Sequence, residues 1–132
     1  MEWVVNGGVQ ILLDIPRPSI AATAVSQCLY YLSCDDPCME KVCQLPQELL
    51  RKMIKYMLWL IECSHESGKQ WAVNFFGIAC SFRGLLIIID ELDGIRVLHN
   101  MVSSLYQTFL YIYFQIVIQN QFHHSVIVFC QC

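Results

Sequence analysis

The sequence predicts an all-α chain, a fragment of a helical-repeat solenoid that ends in an atypical apolar tail. Three observations carry this prediction. Apolar residues recur at three- and four-residue spacing along most of the chain. No alternation of strands with helices appears. A glycine-led apolar pattern occurs twice. Hydrophobic residues make up 56% of the 132 positions and charged residues 14%, where an ordinary soluble domain is nearer a quarter charged. Such a chain fills a core easily but has little with which to cover it. That imbalance fits a slice of a larger array whose neighbouring repeats are missing at its faces.

The elements follow in order. Pro16 and Pro18 stop whatever precedes them, and Ser19 is placed to cap the next helix. That helix, of about four turns, carries Ile20, Ala24, Val25, Cys28, Leu29 and Leu32 on its apolar side. Thr23, Ser26, Gln27 and Tyr30 fall opposite. Asp35-Asp36-Pro37 is a start signal, with an acidic cap before a proline whose missing N–H is harmless in a first turn. A short helix through Met39 and Val42 then ends before Leu45-Pro46.

Leu50, Met53, Ile54, Met57, Leu58 and Ile61 form the clearest stripe, with Glu48, Arg51, Lys52, Lys55 and Glu62 mostly opposite. Glu48 and Lys52 stand in the favoured order for a pair four apart. Gly68 is expected to be a left-handed stop after Ser64-His65-Glu66-Ser67. Trp71 to Ile89 is apolar on nearly every side, as one buried central helix of a solenoid would be. The competing reading is a membrane span, against which Asn74, Ser81 and Arg83 count. Asp93-Gly94 breaks the chain, and Ile95, Val97, Leu98, Met101, Val102 and Leu105 resume a helical pattern.

The repeat consists of Gly8-Val9-Gln10-Ile11-Leu12-Leu13 and Gly94-Ile95-Arg96-Val97-Leu98-His99. Their separation is about twice the 40–47-residue period of armadillo and HEAT repeats. The midpoint falls near Arg51, at the start of the Leu50 to Ile61 helix, where Pro46 replaces the glycine. A glycine there lets one helix end and the next pack at a sharp angle.

Longer strings add a resemblance. The segment from Gly8 to Thr23, with Cys28-Leu29-Tyr30-Tyr31-Leu32-Ser33, Met39-Glu40-Lys41-Val42-Cys43, Leu58 to His65 and Asp93-Gly94-Ile95-Arg96, resembles the armadillo-like region of the Vpr-binding protein family. The resemblance covers about Val9 to Leu105 and keeps family order. It implies a substrate receptor that recruits proteins to a cullin-4 RING ubiquitin ligase through a damage-specific DNA-binding adaptor. In the family the adaptor contact lies in a C-terminal propeller that this sequence does not contain, so no family functional residue carries over. What remains is non-catalytic scaffold whose partners are proteins: the cullin-4 ligase complex and ubiquitination substrates. The expected location is the nucleus, with the cytosol second.

Residues 1–105 are therefore expected to hold two to three incomplete repeats, and 106–132 a non-family apolar tail. No side chain after Arg96 carries a full charge, and the tail is rich in β-branched and aromatic residues. It reads as an alternative terminus or translated non-coding sequence, with a tendency to aggregate. Two other readings are a truncated product without independent function and a small membrane-associated helical protein.

No catalytic, cofactor-binding or metal residue is predicted, and no small-molecule ligand. The net charge is −3 and the 8 Lys and Arg are scattered, which disfavours direct nucleic-acid binding. The start of the chain lacks the pattern of a signal peptide. The eight cysteines read as free thiols in a reducing compartment, with Cys28, Cys63 and Cys80 buried. Cys34, Cys38 and Cys43 lack a further ligand pair for zinc. His123, His124, Cys130 and Cys132 read as incidental residues of the tail. Cys63-Ser64-His65-Glu66 has the composition of a nucleophile and base, but sequence neighbours rarely make such a pair. Asp90, Glu91 and Asp93 read as a solvated turn.

Overall fold

The computed structural model describes residues 2–101 together with 103, 104, 107 and 117. Every regular element among them is an α-helix. In order these are α1 (Glu2–Val5), α2 (Gly8–Leu13), α3 (Ala21–Ser33), α4 (Asp36–Cys43), α5 (Gln47–Cys63), α6 (Glu66–Ala79) and α7 (Arg83–Glu91). A further helical run covers 94–101. Two compact units divide between Leu98 and His99. The second lies largely outside the described residues, and with it the predicted tail, including His123, His124, Cys130 and Cys132.

The core of the first unit is built on α5. All six residues of its predicted stripe are buried, as are Tyr56 and Leu60. Pro46 stands just before the helix, and its carbonyl accepts from the Leu49 and Leu50 amides, so the proline opens a helix without interrupting its ladder. α5 packs on α6, α2 and α7. Phe75 and Phe76 of α6 and Leu85 and Ile88 of α7 are among the side chains fully enclosed. Each such side chain contributes about 1.5–3 kcal/mol of transfer free energy.

The α3 stripe differs from the one predicted. Ala22, Val25, Ser26, Leu29 and Ser33 are buried, while Ala24 and Cys28 are exposed and Ile20 is 97% exposed. The true face is turned toward two serines. The Ser26 hydroxyl donates to the Thr23 carbonyl at 2.8 Å and the Ser33 hydroxyl donates to the Tyr30 carbonyl one turn back. Both are therefore satisfied within their own helix, and burial leaves no polar atom unpaired. Small residues suit this face because α3 packs along α6, whose Gly68 comes close to Thr23 of α3.

Gly68 is the second correction. It is not a left-handed stop but a buried residue in the first turns of α6. A Cβ there would sit 2.0 Å from the Ser64 hydroxyl and 3.4 Å from Thr23 of α3, so its value is close approach. The α5–α6 boundary falls at Ser64 and His65, both extended.

The apolar run from Trp71 to Ile89 is two helices, not one. After Ala79 the backbone bonds tighten, with Ser81 and Phe82 amides reaching back three residues to Ile78 and Ala79 at 3.0 Å. Phe82 then turns extended and α7 begins. Among the described residues no helix is long and apolar enough to cross a membrane.

The two repeat glycines occupy equivalent places. Gly8 and Gly94 each open a helix, and each follows a residue with positive φ: Gly7 at 88° and Asp93 at 59°. A Cβ on Gly8 would strike the Trp3 ring, and one on Gly94 would lie 2.7 Å from Ile89 Cγ2 and 2.8 Å from the Ile89 carbonyl. The chain reverses in left-handed geometry, and the next helix then leaves with its backbone against the previous one. In the run that follows, Val97 is buried, but Ile95 is 44% exposed rather than on the inner face.

Of the cysteines expected to be buried, Cys28 and Cys63 are exposed and Cys80 is half-buried. Among the described residues Cys38 is the enclosed cysteine; its thiol donates to an Asp35 carboxylate oxygen at 2.9 Å. Ser19 does not cap α3, since its hydroxyl donates back to the Pro16 carbonyl.

A candidate protein-binding groove

The loop between α2 and α3 is held on α5 at three points. Prolines at 16 and 18 keep it from helix. The Lys52 ammonium meets the Asp14 carboxylate at 2.9 Å. The Tyr56 hydroxyl donates to the Ile15 carbonyl at 3.0 Å. The Arg17 guanidinium lies 5.9 Å from the centre of the Tyr56 ring, a cation–π distance. Lys52 and Tyr56 are four apart and so share a face of α5, which continues toward Lys55, Trp59 and Glu62.

Lys52 therefore serves the loop, and the predicted Glu48–Lys52 pair does not form. The same contact, with a further hydrogen bond from Gln10, holds the Asp14 carboxyl below its ordinary value. Burial pushes the Tyr56 phenol up, with the Arg17 charge partly opposing it.

Two hollows meet at Arg17 and Trp59. One, of about 330 Å³, runs from the loop past Trp59 to the end of α5, and its rim carries Ile20, Cys63 and His65. The other, of about 340 Å³, is lined by Lys55, Leu58, Glu62, Leu92, Arg96 and Val97 in addition to the shared pair. Arg96 donates to Asp93 at 2.6 Å, and that contact raises its pKa further above neutrality. The result is a half-exposed indole between two hollows, with Arg17 shared by both and Lys55 and Arg96 on the second.

Cys63, Ser64 and His65 form a helix end and turn, with the Ser64 hydroxyl on the His65 carbonyl at 3.2 Å rather than on its ring. Glu91 pairs with Arg51 of α5 at 2.7 Å, so the acidic turn after α7 is tied to the core helix. Cys34 ends α3, whereas Cys38 and Cys43 belong to α4. Among the described residues no group of three His, Cys, Asp or Glu could hold a metal. The sequence reading does not find the groove. One signal was available: Trp59 lies on the side of α5 that carries Lys55 and Glu62, away from the apolar stripe.

Comparison with known proteins bears on what such a surface serves. Residues 1–46 match the Mahjong helical domain. Over 105 residues, 80% of this chain, it is 37% identical to "Protein mahjong" of Drosophila melanogaster. Over the same length it is 38% identical to "DDB1- and CUL4-associated factor homolog 1" of Caenorhabditis elegans. The protein of that name in Arabidopsis thaliana is 31% identical over 94 residues, 71% of the chain. The chain spans only 5% to 7% of the length of these relatives. No solved structure matches it.

Proposed function

The chain is homologous to a segment of the Mahjong and DDB1- and CUL4-associated factor proteins, and from that premise we propose that it is a non-catalytic scaffold segment of a cullin-4 ubiquitin ligase substrate receptor. It acts in protein ubiquitination by binding other proteins, while isopeptide chemistry is done by other subunits. The observation that carries this is 37–38% identity over 105 residues to proteins one of which is named for association with DDB1 and CUL4. The helical architecture supports it, because stacked helices hold surfaces rigidly without needing a catalytic cleft. In this proposal the repeats run to residue 105, residues 106–132 lie outside them, and the chain works in the nucleus. Its partners are substrates and, through the rest of a full-length receptor, the ligase.

Competition tests it. Excess purified chain is added to nuclear extract containing active cullin-4 ligase, and ubiquitination of the receptor's substrates is followed. The expected result is slower substrate ubiquitination with adaptor association intact. Unchanged substrate ubiquitination at saturating chain would reject the proposal.

A second reading is favoured by one observation. Apolar side chains are exposed on α1 and α2 (Trp3 47%, Val5 66%, Ile11 68%) and on α7 and the helix after it (Leu86 37%, Ile87 50%, Ile95 44%). Neighbouring repeats would cover such surfaces in a longer array. Left bare, they would make the chain a product without independent function, held by chaperones.

A further inference from the structure

We infer that the groove centred on Trp59 binds an acidic linear peptide of a partner protein, one that carries a bulky aliphatic anchor residue. The inference rests on reading the chain as a binding scaffold and adds to it a place and a chemistry.

Charge is the first argument. The chain is acidic overall, with 8 Lys and Arg against 11 Asp and Glu, yet Arg17, Lys55 and Arg96 stand on one hollow. Elsewhere the basic side chains of α5 are already used: Arg51 holds Glu91 and Lys52 holds Asp14. Neither Arg17 nor Lys55 has a carboxylate partner among the described residues. Of the nearby acids, Asp93 is engaged by Arg96, and Glu62 alone remains on the wall. An incoming carboxylate thus meets two uncommitted cations beside an apolar floor, and complementary charge both steers and selects a partner.

Shape is the second. Trp59 is half-buried between two hollows of about 330 and 340 Å³. Indoles in that position are favoured anchors of binding energy. Leu58, Leu92 and Val97 supply the floor for an aliphatic side chain. The loop side of the groove is tied through Asp14 and Ile15 to Lys52 and Tyr56. A preformed site loses little freedom on binding. Two separated uncommitted cations, Arg17 and Lys55, beside an Arg96 already held by Asp93, suit an extended chain with carboxylates at intervals better than a single compact anion.

The test uses the purified 132-residue chain and fluorescence anisotropy with a labelled extended peptide. Its central leucine is flanked by aspartates. The expected result is saturable binding that weakens with added salt, is lost when asparagines replace the aspartates, and falls about tenfold or more for Trp59→Ala. Because Trp59→Ala could disturb packing, Lys55→Glu is the paired variant: its side chain is exposed, so the fold is retained and binding of the acidic peptide should still fall. Equal binding of the asparagine peptide, equal binding of a peptide with alanine for leucine, or no effect of Lys55→Glu would overturn the inference. The assay contains no ligase. A negative result here with successful competition in extract would remove the groove alone, and the reverse pattern would remove the ligase reading alone.

Discussion

At the residue scale, the glycines separate sharply by what surrounds them. A Cβ at Gly77 or Gly84 meets nothing within 4 Å, and Gly77 lies inside α6. Gly77→Ala should therefore stabilise the fold by about 0.5–1 kcal/mol, the helix cost of glycine. At Gly94 the obstacle includes the Ile89 carbonyl at 2.8 Å, which is backbone and cannot swing aside. Gly94→Ala should destabilise by about 1–3 kcal/mol. Paired urea melts of the two variants check this, and equal midpoints would show that the close approach at Gly94 does not exist. The sequence exposes the Gly94 position through Asp93-Gly94. It does not expose Gly68, because a glycine after a polar run reads as a stop until the helix crossing it is known.

Thiols give a second residue-scale test. Cys28, Cys34 and Cys63 are exposed. The Cys38 thiol is pushed up by its hydrogen bond to Asp35 and by burial, and those of Cys43 and Cys80 chiefly by burial. Only the thiolate reacts. A brief pulse of maleimide on the native chain, mapped by mass spectrometry, should label the first three well before the others. Cys38 reacting as fast as Cys63 would contradict the packing of α4.

At the scale of elements, α5 was legible because its stripe is unbroken and its opposite face charged. α3 was not, because hydrophobicity alone ranks Ala24 and Cys28 above Ser26 and Ser33. The serines win the inner face because they are small and bond within their own helix. The α6–α7 break was hidden because no proline or Asp-Gly marks it, and its signature is a tightened last turn. The groove was hidden for a similar reason: it joins residues from the 14–20 loop, α5, the turn after α7 and the helical run 94–101, which only the fold brings together. If α5 is the spine of the first unit, Met57→Ala should cost about 2–5 kcal/mol, since Met57 is fully buried. Denaturant melts that show less than about 1 kcal/mol would place the core elsewhere.

The tie between the 14–20 loop and α5 predicts a pH effect. Asp14 has a depressed pKa through Lys52 and Gln10. Its contribution is therefore fully present above the ordinary carboxylate pKa and is lost as pH falls through the folded value. The melting temperatures of the native chain and Asp14→Asn should differ at neutral pH and converge on acidification. The gap should also shrink with salt, because both partners are largely exposed. A gap that widens at low pH would mean Asp14 is not held as a carboxylate.

At the scale of the whole molecule, the all-α class was legible in the apolar spacing, and the likeness to the Mahjong and DDB1- and CUL4-associated factor proteins in long strings from Gly8 to Arg96. The repeat glycines recur in the structure as paired left-handed turns that each launch a helix. Exposed apolar side chains on α1, α2 and α7 fit a piece of a longer array, as does the small share of each relative that the chain spans. In the function proposed above, this piece binds other proteins and contact with the ligase lies elsewhere in a full-length receptor. Capture from nuclear extract on the tagged 132-residue chain, read by mass spectrometry, tests that most directly. The expected result is recovery of ubiquitination substrates without the cullin-4 adaptor. Recovery of the adaptor on this chain alone, or of chaperones and nothing else, would contradict it.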